Sequence, residues 1–579
     1  MEIKINNKQT LYTLFLSSIA IAFRLWLAAG FPKLLRYLPH DDLFFARAAN
    51  FMIHGEWMGA YDHMTLIKVP FYSIFLVLSS FSGLPLLLNE TLFYVGACIF
   101  LVVGFFPVAK SHWFRLVFFV FILFAPSTLN TLSNVIVYRD FVYYSLNLYV
   151  VAFAVGLMLR LHNDVARIIP WSVGLGLSMG AFLITREEGI WIYPTLLLFM
   201  AGCLYFIFKD KLDRRTVRIV IVLLPIVLWQ IPGLIVSYLN FTYYGYWGVS
   251  EQLDPQMNRA LGALGRIQTN GQRHPAIQIP QEARMQAYEV SPLMNEMKDV
   301  IESAIPLWNV HDDKAMQQKP DWYLRRYGDG GGEISNGHFS WLLRNIVYQN
   351  GYYSNGQYPS EFYKELADQL EEACLDGRLS CSSASAVPFV GAVDSRHFYI
   401  MAREFYENLI HLLKQDQLQF VSLDFPNRSP LPDDGERIFN QFIYNGVEYP
   451  VEQRGGSSRQ YLIDGELDAR IRMIQVRESL MRRISLIYQF VTGYFFVAMC
   501  LAWVMILVPS TVKQKNGFQL KHFLISMLIL GLLVSRLATL SILSATSSIP
   551  VYSYSGSVNN FIYLFPWLML NYLFERRRQ

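Results

Sequence analysis

The stretch "TLYTLFLSSIAIAFRLWLAAG", residues 10–30, decides the class of this protein, because it is an apolar run long enough to cross a bilayer. About 20 apolar residues in a helix span the roughly 30 Å of hydrocarbon. The remainder of the 579-residue chain has the same character, since 53% of all residues are hydrophobic and only 16% are charged. No small-residue cleavage site follows the run, so it is predicted to stay in place as a first span. The sequence therefore predicts a polytopic α-helical membrane protein.

Further apolar runs raise the predicted number of transmembrane helices to about ten. Lysine and arginine cluster at the amino end and in the loops 110–115, 160–167, 209–218, 513–521 and 576–578. When these loops are all placed in the cytoplasm, every span alternates in direction and both termini are cytoplasmic. The predicted spans are 10–30, 90–109, 113–130, 141–160, 169–186, 189–207, 217–237, 487–508, 521–543 and 556–574.

The apolar segment 70–88 is predicted to lie on the outer membrane surface rather than to cross it. It is short and broken by "SGLP", and counting it as a span would put the basic loop 110–115 outside. The resulting domains are a membrane module at 1–237, whose outer loop 31–89 carries surface helices, a large α-rich extracytoplasmic domain at 238–486, and a C-terminal segment of three spans at 487–579.

Patterns in the large outer domain predict helices and one small β element. "FYKELADQLEEACLDGRL" (362–379), "GHFSWLLRNIVYQNGYY" (337–353) and "DARIRMIQVRESLMRRISLIYQF" (468–490) have apolar residues at helical spacing. "FNQFIYNGVEYPVEQRGG" (439–456) alternates like a hairpin. Of the five cysteines, Cys374 and Cys381 lie outside the apolar runs, on the side where oxidation is permitted. We predict a disulfide between them, with two free thiols as the alternative.

An acidic pair follows the first span, in "HDDLFFARAANF". Asp41 and Asp42 precede an amphipathic helix, where carboxylates also cap free amides and suit the helix dipole. Two adjacent carboxylates beside His40 at the membrane surface favour a functional role instead. One of them can act as a general base, or both can hold a divalent cation by oxygen ligation.

Basic residues and further carboxylates occupy the other outer corners. Lys68, in "TLIKVPFY", either snorkels at the interface or binds a lipid phosphate. Arg139 and Asp140 end the second outer loop, and the corner "TREEG" at 185–189 follows a later span. Ionisable groups at the ends of spans are costly unless they are paired or functional. These residues would be explained if the cations bind a phosphate and one carboxylate stays free to act as a base. For Arg186, simple pairing with a carboxylate is the alternative.

Several common functions are excluded by missing motifs. The sequence contains no P-loop, no GxGxxG followed by an acidic residue, no nucleophile elbow, and neither CxxC nor HExxH zinc spacing. The net charge of +4 gives no indication of nucleic-acid binding. A donor whose phosphate is attached to a membrane lipid needs no nucleotide-binding fold. The missing motifs therefore do not exclude an enzyme that uses a lipid-linked donor.

The motifs "HDDLFF" and "IKVPFY" resemble the GT-C class of integral membrane glycosyltransferases, as in the protein O-mannosyltransferases and the lipid A aminoarabinose transferases. In those families the first outer loop carries an acidic pair and then a Lys-Pro-Pro-like element before a surface helix, and a second-loop acid resembles Asp140. Here Val69 stands between Lys68 and Pro70, which departs from the pattern. The resemblance covers residues 1–240 and does not extend to the large outer domain.

The resemblance implies a multi-pass enzyme of the bacterial inner membrane that moves a sugar from a polyprenyl-phosphate donor to a lipid, glycan or protein acceptor on the periplasmic side, with inversion. Asp41 or Asp42 would be the catalytic base, with Asp41 the first choice, and a divalent cation is left open. Lys68 and Arg139 would hold the leaving phosphate. The full set of candidate substrate-binding residues is His40, Lys68, Arg139, Asp140, Arg186, Glu187 and Glu188.

Two other classes of function remain as alternatives. An O-antigen ligase or polymerase also has many spans and a large outer loop, but usually relies on late arginines and a histidine, whereas the charges here come early. A transporter of lipids or glycans should carry ionisable residues near mid-membrane. The predicted spans are expected to have clean interiors apart from Arg24, which counts against a transporter.

Overall fold

The computed structural model is built from helices. It describes residues 8–29, 33, 40–129, 136–271, 273–317, 319–383, 394–415, 441–442, 466–514, 517–546 and 556–577. Within these ranges there is no β-strand, and an isolated antiparallel bridge joins Ile267 to Cys381. The hairpin predicted at 439–456 lies outside the described residues except for Gln441 and Phe442.

The first part of the chain contributes most of the membrane helices. Short 3₁₀ turns at Pro126–Thr128 and Glu187–Ile192 separate some of them. The α-helices are α1 (Lys8–Ala28), α2 (Asp42–Ile53), α3 (Phe71–Ser80), α4 (Leu86–Phe105), α5 (His112–Leu123), α6 (Asp140–Leu159), α7 (Val165–Leu183), α8 (Tyr193–Lys209), α9 (Arg215–Leu228) and α10 (Gln230–Tyr244).

The outer part and the C-terminal part complete the order of elements. The helices of the predicted outer domain are α11 (Pro255–Arg266), α12 (Gln281–Val290), α13 (Pro292–Glu296), α14 (Lys298–Met316), α15 (Asp321–Tyr327), α16 (Asn336–Gln349), α17 (Gln357–Leu375) and α18 (Ser395–Lys414), with 3₁₀ turns at Glu251–Leu253 and Tyr352–Ser354. The last helices are α19 (Glu466–Ala502), continued by a π-turn (Trp503–Leu507) into α20 (Val508–Gln514), then α21 (Gly517–Thr546) and α22 (Asn559–Arg576).

The predicted class of a polytopic helical membrane protein is confirmed, and eight of the ten predicted spans correspond to described helices that are long and apolar enough to cross a membrane. By length and composition, 8 helices in the described part of the chain can cross a membrane. The predicted span 113–130 corresponds to α5, which has only 12 residues because the chain turns before Pro126. The predicted span 556–574 corresponds to α22, whose three asparagines leave it less apolar than the other candidates.

The segment between α2 and α4 is divided by a turn. Helix α3 has 10 residues, so at 1.5 Å per residue it is about 15 Å long and too short to cross the hydrocarbon. Leu86 already begins α4, which places the end of the predicted surface segment 70–88 in the next helix. The location of α3 on the membrane surface stays a prediction.

Two large hydrophobic cores are formed by the described residues. The membrane bundle is centred on α6, which packs between α4 and α7 and is the most buried of the candidate spans. A second core joins α11 to α17, from Met257 to Leu379. Helix α18, although it belongs to the predicted outer domain, packs along α21, and its Leu412 joins the core of the bundle. Ile400 of α18 packs with Ala276, Tyr323 and Ala545, so this helix also contacts residues that lie between α11 and α17 in the chain.

Cys374 and Cys381 are joined by a disulfide at the end of α17, with their Cα atoms 5.6 Å apart. We expect alkylation of the unreduced protein to leave both cysteines unlabelled, and alkylation after reduction to label both. Cys381→Ser should lower the free energy of unfolding by about 2–4 kcal/mol. Peptide mapping that found both thiols labelled before reduction would contradict the pairing.

Candidate active site

Glu187 joins the three outer corners of the membrane module. It begins the 3₁₀ turn before α8, and its Oε1 accepts the Arg139 Nη1 donor at 2.9 Å. A second bond of 2.9 Å joins Arg139 Nη2 to Glu187 Oε2, so the pair is bidentate. The same Oε1 accepts a hydrogen bond of 3.0 Å from the N–H of Val69, the residue after Lys68. One carboxylate therefore fixes the loop before α3 to the corners before α6 and α8.

The ammonium of Lys68 donates a hydrogen bond to Asp41 Oδ1. The Lys68 side chain is 7% exposed and that of Asp41 is 23% exposed, so the carboxylate is the more accessible member of the pair. The aromatic rings of Phe45 and Tyr138 lie 5.3 and 5.6 Å from Lys68 Nζ, within the range of cation–π attraction. The pair therefore forms a buried cation with a solvent-facing carboxylate.

The two charges of this pair shift each other's protonation. Burial by itself would raise the pKa of Asp41, but the Lys68 ammonium, helped by His40 and Arg139, holds that pKa below its ordinary value of 3.8. Burial lowers the pKa of Lys68 below 10.5, and Asp41 offsets only part of this change. Asp41 is therefore ionised at neutral pH, but it is a weak base as long as Lys68 stays in contact with it.

A deeper layer of ion pairs supports these residues. Arg186 is 3% exposed and donates to Asp140 and, at 2.8 Å, to Glu188. Arg536 of α21 donates to the same Glu188 oxygen at 3.2 Å and to Ser557 Oγ at 3.2 Å. Because buried charges are costly unless paired, these contacts stabilise the guanidinium of Arg186 at this position.

Arg536 is the member of this cluster that the sequence reasoning missed. It lies inside the predicted span 521–543, so the expectation that Arg24 is the only charge inside a span is wrong. Its guanidinium lies 5.8 Å from the ring of Tyr143 and 5.7 Å from that of Trp191. An arginine within an apolar run is itself a signal of a buried partner or a functional site. That signal was present in the sequence, whereas the identity of its partner was not.

The members of the acidic pair occupy different environments. Asp42 begins α2 and is 2% exposed, whereas the neighbouring Asp41 faces the accessible side of the cluster. His40 is half-exposed, with Nε2 4.0 Å from Asp41 Oδ2 and its ring 5.7 Å from the ring of Trp341. Asp41 is therefore the more accessible carboxylate of the two.

The residues at this position do not fit a divalent cation. Calcium and magnesium ions take six or more oxygen ligands, and here one oxygen of Asp41 is bound by the ammonium of Lys68. Throughout the described ranges, no group of three or more histidine, cysteine, aspartate or glutamate side chains is placed to hold a metal ion. We therefore assign no step to a metal.

The departure from the Lys-Pro-Pro-like element has a local explanation. Val69 donates its N–H to Glu187, and a proline at this position would have no N–H to donate. The next contact, from Phe71 N–H to the carbonyl of Ile184 at 3.1 Å, continues the attachment of this loop to the end of α7. Valine at position 69 is therefore compatible with a fixed Lys68.

Comparisons with known proteins find no matching protein-family model, and no curated protein matches the sequence. Among solved structures, the chain is similar to ArnT from Cupriavidus metallidurans in the apo state, with 14% identity over 98% of this chain and 78% of that chain and a TM-score of 0.28. It is similar also to ArnT bound to undecaprenyl phosphate, with 12% identity, 97% and 78% coverage and a TM-score of 0.30. Both TM-scores are low.

Proposed function

We propose that this chain is a GT-C-type glycosyltransferase that moves a sugar from a polyprenyl-phosphate donor to an acceptor hydroxyl on the extracytoplasmic face of the membrane. The contact between Asp41 and Lys68 carries the proposal. It brings an accessible carboxylate, which can take a proton, against a buried ammonium, which can bind a phosphate. Transfer from a lipid-linked donor needs both groups within a few ångströms of the reacting carbon.

The proposed reaction is a single displacement. The acceptor oxygen attacks the anomeric carbon on the face opposite the phosphate, and its proton passes to Asp41. The bond between that carbon and the phosphate oxygen breaks, and the electron pair leaves with the phosphate. A direct displacement of this kind inverts the anomeric configuration.

The cations act on the leaving phosphate. Lys68 binds the phosphate directly, and the guanidinium of Arg139 adds positive charge nearby. The Arg139 guanidinium lies 5.8 Å from the ring of Phe45, and the Lys68 ammonium faces the same ring. Fixed positive charges at the place where negative charge develops lower the barrier without reorganisation. Glu187 keeps Arg139 oriented and thereby contributes to the position of the phosphate.

Donor binding also activates the base. Lys68 cannot bind a phosphate at full strength without loosening its contact with Asp41. Once the ammonium is engaged by the phosphate, its influence on Asp41 weakens and the pKa of that carboxyl rises. A higher pKa makes Asp41 a better proton acceptor, so the base becomes effective only when the donor is present.

A transporter of lipid-linked glycans is the second candidate, because Arg536 places a charge inside a candidate span. Two contacts favour the enzyme instead. Arg536 is paired with Glu188 and so belongs to the same cluster as Arg186. The charge of Arg536 is thus neutralised by Glu188 within this cluster. It does not line a path through the membrane.

Purified protein supplied with a panel of lipid-linked sugars tests the proposal. We expect release of polyprenyl phosphate from monophosphate-linked donors when a membrane fraction is added as the source of the acceptor. Use of diphosphate-linked donors alone would instead support a ligase or polymerase. Movement of the intact donor across vesicles without release would support the transporter.

The binding of undecaprenyl phosphate should weaken as the pH rises, with a midpoint below the ordinary lysine pKa of 10.5, because burial lowers the pKa of Lys68. The sign follows from the charge, since only the protonated ammonium attracts the phosphate. Lys68→Arg should move this decline to higher pH, because arginine stays charged above a pH of about 12. Dissociation constants measured across the alkaline range test this, and identical profiles for both proteins would contradict it.

A further inference from the structure

The loop that carries Lys68 is held by the outer domain through its main chain. The N–H of Glu251 donates to the carbonyl of Leu66 at 2.9 Å, and the hydroxyl of Ser250 donates to the carbonyl of Ile67 at 3.1 Å. Ser250 and Glu251 are both buried. These contacts end one residue before Lys68, so they fix the backbone from which its side chain leaves.

Arg344 of α16 completes this attachment. Its Nε donates to the carbonyl of His63 at 2.6 Å, and its Nη2 donates to Glu251 Oε2. The other oxygen of Glu251 accepts the hydroxyl of Tyr61 at 2.5 Å. Arg344 is 1% exposed and Glu251 is 4% exposed. A buried ion pair thus connects the second core to both ends of the segment 61–66.

Helix α16 contacts the other side of the site as well. Trp341 lies three residues before Arg344, so both side chains leave the same face of the helix. The Trp341 ring is 5.7 Å from the ring of His40, which adjoins Asp41. One outer helix therefore contacts both the Lys68 loop and the segment that carries the base.

On the side of the bundle, the loop is held by the Val69 N–H bond to Glu187. Lys68 therefore lies between two fixed points, one supplied by the membrane module and one by the outer domain. The backbone on both sides of Lys68 is therefore held in place.

We infer that Arg344 and Glu251 are positioning residues that hold Lys68 in the site, so that the outer domain is part of the catalytic unit. The inference rests on the proposed role of Lys68 as the phosphate ligand. Arginine suits this task because its planar fork donates to a carbonyl and a carboxylate at once. A lysine keeps the charge but cannot make both bonds in the same geometry.

Arg344→Lys tests the inference through the chemical accessibility of Lys68. An amine-reactive ester is added to the full-length protein in detergent, and peptide mass spectrometry measures the labelling rate of Lys68. We expect this rate to rise about tenfold in Arg344→Lys and by a smaller factor in Ser250→Ala, which removes only the bond to Ile67. The dissociation constant for undecaprenyl phosphate should rise in parallel.

Arg284→Lys is the matched control. Arg284 is 1% exposed and pairs with Glu302 at 2.7 Å and Glu333 at 3.0 Å in the same outer core, away from the loop. We expect its Lys68 labelling and lipid-phosphate binding to equal those of the unmodified protein. Equal labelling of Lys68 in Arg344→Lys and Arg284→Lys would overturn the inference.

The two proposals fail in different ways. If the unmodified protein does not bind undecaprenyl phosphate, the proposed function is wrong, while the labelling rate still reports whether Arg344 fixes Lys68. If binding is present but independent of Arg344 and Ser250, the enzyme assignment stands and the positioning role is wrong.

Discussion

Asp41→Asn should lower kcat for sugar transfer by about 10²–10⁴-fold, the usual contribution of a general base. The amide has nearly the same shape as the carboxylate, and its carbonyl oxygen can still accept the hydrogen bond from Lys68. The variant should therefore fold and bind the donor, but no group would take the proton of the acceptor. Release of polyprenyl phosphate under single-turnover conditions measures the effect separately from product dissociation.

Asp42→Asn is the control for this prediction, because the two residues are adjacent but differ in exposure. We expect a smaller loss of turnover for Asp42→Asn, since the buried Asp42 does not face the accessible side of the cluster. A larger loss for Asp42→Asn would reassign the base to that residue. Unchanged turnover in Asp41→Asn would remove Asp41 from the mechanism.

Arg186→Met should lower the free energy of unfolding by about 3–5 kcal/mol, the usual consequence of removing one partner of a buried ion pair. The variant leaves the carboxylates of Asp140 and Glu188 without the guanidinium that joins them. Arg536 can still compensate for Glu188, but Asp140 loses its arginine partner. Chemical denaturation in detergent micelles, followed by tryptophan fluorescence, measures the loss.

Arg259→Met provides a matched control for the stability prediction. Arg259 also contacts two carboxylates, Asp368 and Glu371, but its side chain is 36% exposed. Exposed ion pairs contribute about 0–1 kcal/mol, so we expect little change. Similar losses in the Arg186 and Arg259 variants would show that burial does not set the strength of the Arg186 pairs.

These variants separate the reacting groups from their support. Asp41→Asn should lose turnover at unchanged stability, whereas Arg186→Met should lose stability and turnover together. The distinction follows from exposure, because the Asp41 side chain is 23% exposed whereas that of Arg186 is 3% exposed and paired with Asp140.

Much of the helical architecture was predictable from the sequence because its signals are local. Hydropathy over about 20 residues identifies a candidate span, and the distribution of lysine and arginine orients it. The charged corners at Asp41, Lys68, Arg139 and Glu187 were predicted to share one side of the membrane, and the structure brings them into contact. The predicted span 113–130 is longer than α5 because apolar composition alone does not show where a helix is interrupted.

The pairing of the charges could not be read from the sequence. Arg139 and Asp140 are neighbours, yet Arg139 pairs with Glu187 and Asp140 pairs with Arg186. Such pairs depend on which helix ends lie side by side, and the sequence holds no local record of that. Arg536 and Glu188 are far apart in the sequence. Only the packing of α21 against the corner before α8 brings them together.

The role of the outer domain was equally hidden. Its amphipathic helices were predictable, and α16, α17 and α19 lie where their patterns indicated. The bonds from the Ser250 hydroxyl and the Glu251 N–H to the loop before Lys68 leave no pattern in the sequence, since any residue supplies the carbonyls that accept them. Contacts of this kind are seen in the three-dimensional structure and not in the sequence.

The most direct measurement of the central claim is the stoichiometry of transfer in the unmodified protein and in Lys68→Met. We predict one polyprenyl phosphate released for each sugar transferred, and a fall of at least about a hundredfold in kcat/KM when Lys68 no longer binds the phosphate. Sugar transfer without release of polyprenyl phosphate, or equal rates in both proteins, would contradict the assignment of the Asp41–Lys68 pair as the reaction centre.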